Sequence, residues 1–254
     1  MKNHDNAIVL VCLSDTNYNA ELLELSLQSI RENSRFKGNI IVFTDFKREL
    51  KNEENLQITR VHIDNLPSED PRNFRIFMNG YYDFSKHKKI IYIDFDILVM
   101  KNISKVFDEI KSDAIYFTYA PYFEWHTEAF MAGSYINDYK NTPIVKASIT
   151  GICSGIFGIR AHNLDKLLKI WRKTLEQTET DNDQHALNEV IVKKLFKATA
   201  YPNEWTNYPL QIRNESDDRR VFNKKKRFIF HHYNPYTNDI KFQQMTKHME
   251  ESSK

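Results

Sequence analysis

The chain is 254 residues long, 41% hydrophobic and 28% charged, which supplies enough apolar material for the core of one large α/β domain. Its 36 Lys and Arg against 34 Asp and Glu leave a formal net charge of +2, so composition favours neither bulk nucleic-acid binding nor a strongly acidic partner. Two cysteines are too few for a disulfide scaffold, and the six glycines form no Gly-rich phosphate loop or dinucleotide fingerprint.

Ala7 to Leu13 is a continuous apolar run that reads as a strand buried on both faces, closed by the polar cluster Ser14-Asp15-Thr16-Asn17. Leu22, Leu23, Leu25, Ser26 and Ile30 form a stripe at helical spacing, which predicts a helix from Asn19 to Glu32. Ile40 to Phe43 and Leu56 to Ile63 are the next strands. This strand, helix, strand order predicts an α/β fold with a mixed, mainly parallel central sheet flanked by helices. Asn73 to Phe84 reads as a helix with Phe74, Phe77, Met78 and Tyr81 on its apolar face, leading into the strand Ile90–Ile93. Ala114–Thr118 is strand-like, and the aromatic-rich stretch 119–139 is either a lid with stacking faces or ordinary loop packing, the lid being favoured because sugar rings dock on aromatic surfaces. Ile156–Ile159 reads as a strand, Asn163 to Gln177 as a helix capped by Asn163, and Asp181-Asn182-Asp183-Gln184 as the opening of a helix to about Phe196. Arg227–Phe230 is strand-like, followed by His231-His232, and the residues after Met245 form a polar tail. Cys12 and Cys153 sit in apolar runs, as reduced core thiols do. No apolar stretch has signal-peptide or membrane-spanning length, so the expectation is a soluble, cytoplasmic protein of one domain.

The chemistry concentrates at Asp94-Phe95-Asp96, where two carboxylates end an otherwise apolar strand. Burying an unpaired carboxylate is costly, and alternation along an extended chain would turn Asp94 and Asp96 to one side. Two hard oxygen donors there suit Mg²⁺ or Mn²⁺, with further positions open to diphosphate oxygens. The alternative is a plain polar turn with one Asp capping and the other solvated. Open α/β sheets place ligands outside the carboxyl ends of their strands, where both this tripeptide and Ser14-Asp15-Thr16-Asn17 fall. Either His231 or His232 could add an imidazole ligand, and Asp183 is either a helix cap or part of a site with Gln184. Arg219-Arg220 and Lys224–Arg227, near Phe222 and Phe228, allow a rival reading as a non-catalytic protein that grips an anionic surface. Contact with an acidic membrane fits that cluster better than nucleic acid does.

In order and spacing these segments resemble the family 8 glycosyltransferases of GT-A fold, the glycogenin and lipopolysaccharide galactosyltransferase group. The resemblance runs from about residue 7 to 235. Ile91-Tyr92-Ile93-Asp94-Phe95-Asp96-Ile97-Leu98-Val99 is similar to the family's metal-binding strand, and His232-Tyr233 to its His-Tyr or His-Phe. Ser14-Asp15-Thr16-Asn17-Tyr18 resembles its uracil- and ribose-binding segment, Arg75 its nucleotide-sugar arginine, Cys153-Ser154-Gly155 its donor-approaching strand, and Asp183-Gln184 its helix start beside the anomeric carbon.

The resemblance implies a single transferase domain over 1–254, with a nucleotide-binding half at about 7–118, an acceptor and donor-sugar half at about 119–240 and a polar tail at 241–254. It implies transfer of a hexose from a nucleotide sugar, a UDP-sugar, to a hydroxyl acceptor such as a glycan or lipopolysaccharide, with retention. Asp94, Asp96 and His232 would hold Mn²⁺ or Mg²⁺. Ser14, Asp15, Asn17, Tyr18, Arg75, Asp94, Phe95, Cys153, Ser154 and Gly155 would bind the donor, and Asp183 and Gln184 would act at the sugar. A sugar nucleotidyltransferase is the enzymatic rival, opposed by the missing Gly-rich loop. The chain departs from the family at Cys153, at His185 and after Tyr233, where the phosphate-binding lysine is missing; Lys241 or Lys224–Arg227 are the substitutes on offer.

Overall fold

The structure, a computed structural model, describes residues 5–16, 18–51, 53–68, 70–120, 151–178, 182–207, 228–233 and 237–252. Its first half carries β1 (Asn6–Cys12), α1 (Asn19–Glu32), β2 (Asn39–Thr44), α2 (Glu53–Leu56), β3 (Ile58–His62), β4 (Lys89–Ile93), β5 (Ile97–Val99), α3 (Ser104–Glu109) and β6 (Ile115–Ala120). The second half carries β7 (Gly151–Arg160), α4 (Leu164–Gln177), α5 (Asp183–Val192), β8 (Ala198–Ala200), β9 (Thr206–Asn207), β10 (Phe230–His232) and α6 (Asn238–Ser252). The chain divides into two compact units, one of Met1–Asp64, Ile93–Asp108 and Pro202–Lys254, the other of Asn65–Tyr92 and Glu109–Tyr201.

In the first unit β1, β2 and β3 run parallel, with Ala7 opposite Asn39 and Ile40 opposite Ile58. The apolar run that predicted β1 is buried without a break from Ala7 to Leu13, as a strand covered on both faces must be. On α1, Leu22, Leu23, Leu27 and Ile30 are fully buried. A separate three-stranded sheet, in the order β5-β10-β9, pairs β10 antiparallel to β5 and parallel to β9. The last helix, α6, buries Met245 and Met249 in a cluster with Leu22, Leu98 and Tyr233.

In the second unit the strands lie in the order β4-β7-β6-β8, with β6 antiparallel to β7 and parallel to β8. Trp171 of α4 meets Phe157 of β7 edge to face at 5.8 Å, and Tyr92 of β4 stacks on Phe157 at 5.0 Å. Gly158 leaves room for its neighbours, since a Cβ there would force the Tyr201 hydroxyl and the Ile110 side chain to shift.

Several predicted elements change form. The helix expected over Asn73 to Phe84 is two 3₁₀ segments, Pro71–Ile76 and Met78–Gly80. Asp70 caps the first, accepting from the Arg72 amide at 2.9 Å, and Asn79-Gly80 are poor helix formers that stop the second. Asn163 occupies the N-cap position of α4 but makes no capping bond; its side-chain amide meets His162 at 3.0 Å instead. The helix after Asp181 stops at Val192, not Phe196, and Asn182 caps it by accepting from the Gln184 amide at 2.9 Å. The strand expected at Arg227–Phe230 lies further on, at Phe230–His232. The stretch read as a polar tail after Met245 belongs to α6. Cys12 and Cys153 are buried free thiols, as expected. Among the described residues no helix is long and apolar enough to cross a membrane.

Candidate functional site

The chain leaves β4 at Ile93, turns through Asp94-Phe95-Asp96, and resumes as β5 at Ile97. The tripeptide is therefore a turn, and the strand alternation that was expected to align the two acids does not apply. The turn itself brings them together. β10 pairs with β5 so that His232 lies opposite Ile97, and the Tyr233 amide donates to the Asp96 carbonyl at 3.2 Å. One ligand atom from each of Asp94, Asp96 and His232 then lies within 4.8 Å of the other two. Donor atoms on one octahedral magnesium ion stand about 3.0 Å apart when adjacent and about 4.2 Å apart when opposite, so the three side chains would draw together to hold it. Asp96 Oδ1 is buried, receives no hydrogen bond among the described residues and faces His232 Nε2 at 3.5 Å. A buried carboxylate oxygen left open beside an imidazole nitrogen fits a divalent cation.

The pairing also resolves the histidine doublet. His232 turns to the acids, while His231 lies edge-on to His248 at 5.5 Å and has Phe228 at 5.9 Å. Desolvation of the His231 ring, reinforced by His248 and Lys101, brings its pKa from 6.5 down to about 4. A depressed histidine favours the fold only while neutral, so its contribution is complete above pH 6.5 and is lost as the pH falls towards 4. Metal-free protein is expected to lose about 2–3 kcal/mol over that window through this residue. Urea unfolding at a series of pH values checks it: His231→Phe should flatten the slope, and an unchanged slope would assign it elsewhere.

α6 contributes a residue to the acidic turn. Lys241 Nζ donates to Asp96 Oδ2 at 2.8 Å, with both side chains about nine-tenths buried. Burial alone would raise the Asp96 carboxyl, but the Lys241 ammonium and the His232 imidazole outweigh it and hold the group well below the usual carboxylate range. The sequence offered Lys241 only as one substitute for a missing phosphate lysine; its position on Asp96 follows from a helix that the sparse apolar stripe Phe242, Met245 and Met249 hardly announced.

The β1–α1 loop is bracketed by two residues of left-handed backbone, Ser14 at φ 71° and Tyr18 at φ 65°. Such conformations are sparsely populated by residues other than glycine and need support. The Ser14 amide donates to Asp45 Oδ1 at 2.6 Å, and Asn19 Nδ2 donates to the Leu13 and Ser14 carbonyls at 3.2 and 3.1 Å. Asn19 Oδ1 in turn accepts from Asn238 of α6 at 2.6 Å. Tyr18 stacks on Phe242 at 5.2 Å while remaining 47% exposed, so one face of its ring is open to a ligand. Asp15 is exposed and pairs with Arg48 at 3.4 Å. Phe95 packs on the Leu22, Leu98 and Tyr233 cluster. Asp45, Asn19 and Asn238 were not read as site residues, because their roles depend on partners far along the chain.

The second unit gathers the other predicted residues. Arg75 Nε pairs with Asp183 Oδ2 at 3.0 Å, with side chains 9% and 4% exposed. Its Nη1 donates to the Ser154 carbonyl at 3.0 Å, and the guanidinium lies over the Tyr92 ring at 5.1 Å. The Asp183 amide donates to Asn73 Oδ1 at 3.1 Å, and its carbonyl accepts from the Trp171 indole at 2.7 Å. Gln184 Oε1 accepts from the Ser154 amide and hydroxyl at 3.2 and 3.3 Å. Cys153 and Gly155 are buried within β7. Asn188, which closes the run from Asp183 that resembles the family's helix start, ties α5 to Ile152 by accepting from its amide at 2.9 Å and donating to its carbonyl at 3.2 Å. Asn17, residues 121–139 of the aromatic stretch and the Lys224–Arg227 cluster lie outside the described residues.

No protein-family profile matches the sequence, and no curated protein is significantly similar to it. Solved structures are similar in fold. The galactosyltransferase LgtC in complex with donor and acceptor sugar analogs matches at TM-score 0.64 and 14% identity over 95% of each chain. An active-site Gln-to-Glu mutant of LgtC matches at TM-score 0.61 and 13% identity, again over 95% of each chain. The WbbM bifunctional glycosyltransferase matches at TM-score 0.67 and 14% identity, over 95% of this chain and 49% of that one. The chain therefore has the mixed α/β GT-A fold of these glycosyltransferases, as the sequence resemblance implied.

Proposed function

We propose that the protein is a metal-dependent glycosyltransferase, one catalytic domain that moves a hexose from a UDP-sugar to a hydroxyl acceptor on a glycan or lipopolysaccharide, with retention. The observation that carries this reading is the convergence of Asp94, Asp96 and His232 about the open Asp96 Oδ1, in a chain of GT-A fold. Those three residues would hold Mn²⁺ or Mg²⁺. The bound ion would supply Lewis acidity to the departing diphosphate.

Each remaining group has a role that its surroundings support. Tyr18 offers an open aromatic face to the base, and Ser14 and Asp15 offer polar groups to the nucleoside. Asp183 is committed to Arg75, so it serves as a fixed support at the start of α5, not as a nucleophile. Gln184 has its oxygen held by Ser154, which leaves its amide NH₂ to donate towards the sugar. Cys153 and Gly155 extend the same strand as Ser154 and complete the proposed donor set. Lys224–Arg227 would rest against an acidic membrane on its cytoplasmic side, where lipid-linked acceptors lie.

A panel of UDP- and other nucleotide sugars, screened with and without Mn²⁺ for thermal stabilisation and slow donor hydrolysis, tests the proposal. Mn²⁺-dependent stabilisation by a UDP-sugar is the expected result. Binding of no sugar nucleotide in the presence of metal would end the transferase reading, while response to a non-UDP donor alone would end the base assignment.

A further inference from the structure

Lys241 is held at Asp96 by a helix docked along one face. On α6 the contacts fall at helical spacing: Asn238 bonds Asn19, Phe242 stacks on Tyr18, and Met245 and Met249 are buried in the cluster with Leu22 and Tyr233. Further on, His248 meets the Tyr233 hydroxyl at 2.6 Å, and Ser252 donates to Asn33 Oδ1 at 3.5 Å. Lys241 lies on this docked face and is only 12% exposed, so its ammonium has lost most of its water. A desolvated ammonium 2.8 Å from a desolvated carboxylate is a committed pair, unlike a surface ion pair.

The same carboxylate belongs to the three-residue set suited to a divalent cation. Two cations therefore have a claim on Asp96. Whether the divalent ion takes Oδ1 beside a retained ammonium or displaces it from Oδ2, a like charge within a few ångströms opposes its entry.

We infer that Lys241 is the built-in counter-ion of Asp96 in the metal-free protein, a positioning residue that stabilises the empty acidic turn and sets a low affinity for the divalent cation. This rests on the metal reading of Asp94, Asp96 and His232, and it concerns metal binding in the absence of any nucleotide. Without the ammonium, Asp96 keeps a buried charge that only His232 offsets, and a divalent cation gains that unmet attraction. Loss of Lys241 should then weaken the metal-free protein and tighten its hold on metal together.

The test is Mn²⁺ titration by calorimetry, with melting temperatures in EDTA and in saturating Mn²⁺, on wild type, Lys241→Met and Lys241→Gln. Lys241→Gln keeps a hydrogen-bond donor near Asp96, which protects the experiment if the Met variant fails to fold. Both variants should bind Mn²⁺ about tenfold or more tighter than wild type. They should melt lower in EDTA and gain more from Mn²⁺. Equal or weaker Mn²⁺ affinity in the variants overturns the inference and leaves the metal site standing. Absence of Mn²⁺ binding in all three proteins overturns the metal reading and the inference with it. Asp94→Asn serves as the control that removes a ligand without touching the Lys241 pair.

Discussion

Asp96→Asn is expected to abolish Mn²⁺-dependent donor hydrolysis and the Mn²⁺-dependent part of donor binding. Asparagine keeps the size of the side chain but removes the charge shared by His232 at 3.5 Å and Lys241 at 2.8 Å. On the proposed function, loss of a metal ligand would remove charge neutralisation of the leaving diphosphate, an effect of several kcal/mol, so turnover should fall about 10²–10³-fold or more. The readouts are donor hydrolysis rate and the thermal shift produced by UDP-sugar with Mn²⁺. A protein that binds anionic surfaces without catalysis would tolerate the substitution, so retention of full metal-dependent donor binding in Asp96→Asn would remove the acidic turn from the mechanism.

Arg75→Met is expected to have the largest effect on stability, about 3–5 kcal/mol, because it leaves the buried Asp183 carboxylate without its cation. The guanidinium also donates to the Ser154 carbonyl at 3.0 Å and to the Arg72 carbonyl of its own 3₁₀ segment at 3.2 Å, so α5 and β7 lose a common partner. Urea unfolding gives the number. Adding Asp183→Asn to Arg75→Met should recover part of the loss, since the uncompensated charge is then gone. The family resemblance gives Arg75 a direct role at the nucleotide sugar, and the two roles separate cleanly. A donor KM that rises while stability changes by less than about 1 kcal/mol would assign Arg75 to the ligand and withdraw the structural role.

How far the sequence reached can be judged from particular residues. β1, α1 and β2 were legible because their apolar patterns are long and unbroken, so local periodicity and final burial agree. The acidic pair was legible because carboxylates are rare at the end of a fully apolar strand. The β5-β10-β9 sheet was not, since strands of two or three residues carry no period to read. The 73–84 segment was misread because spacings of three and four satisfy both a helix and successive 3₁₀ turns. Asn182 as the cap of α5 was present in the run Asp181-Asn182-Asp183-Gln184, but two neighbouring acids made equally good candidates.

From the sequence alone came the α/β class, the resemblance to GT-A glycosyltransferases, and the short list Asp94, Asp96, His231, His232, Asp183, Gln184 and Arg75. These are properties of residue type and order. The tertiary structure decided which of those residues meet. It put His232, not His231, beside Asp96 through the β10–β5 register, made the acidic tripeptide a turn instead of an extended strand, paired Asp183 with Arg75, and brought Lys241 from the last helix onto Asp96. Each of the contacts at His232, Asp183 and Lys241 joins residues more than 100 positions apart, so local pattern could not specify it; packing of the intervening elements does.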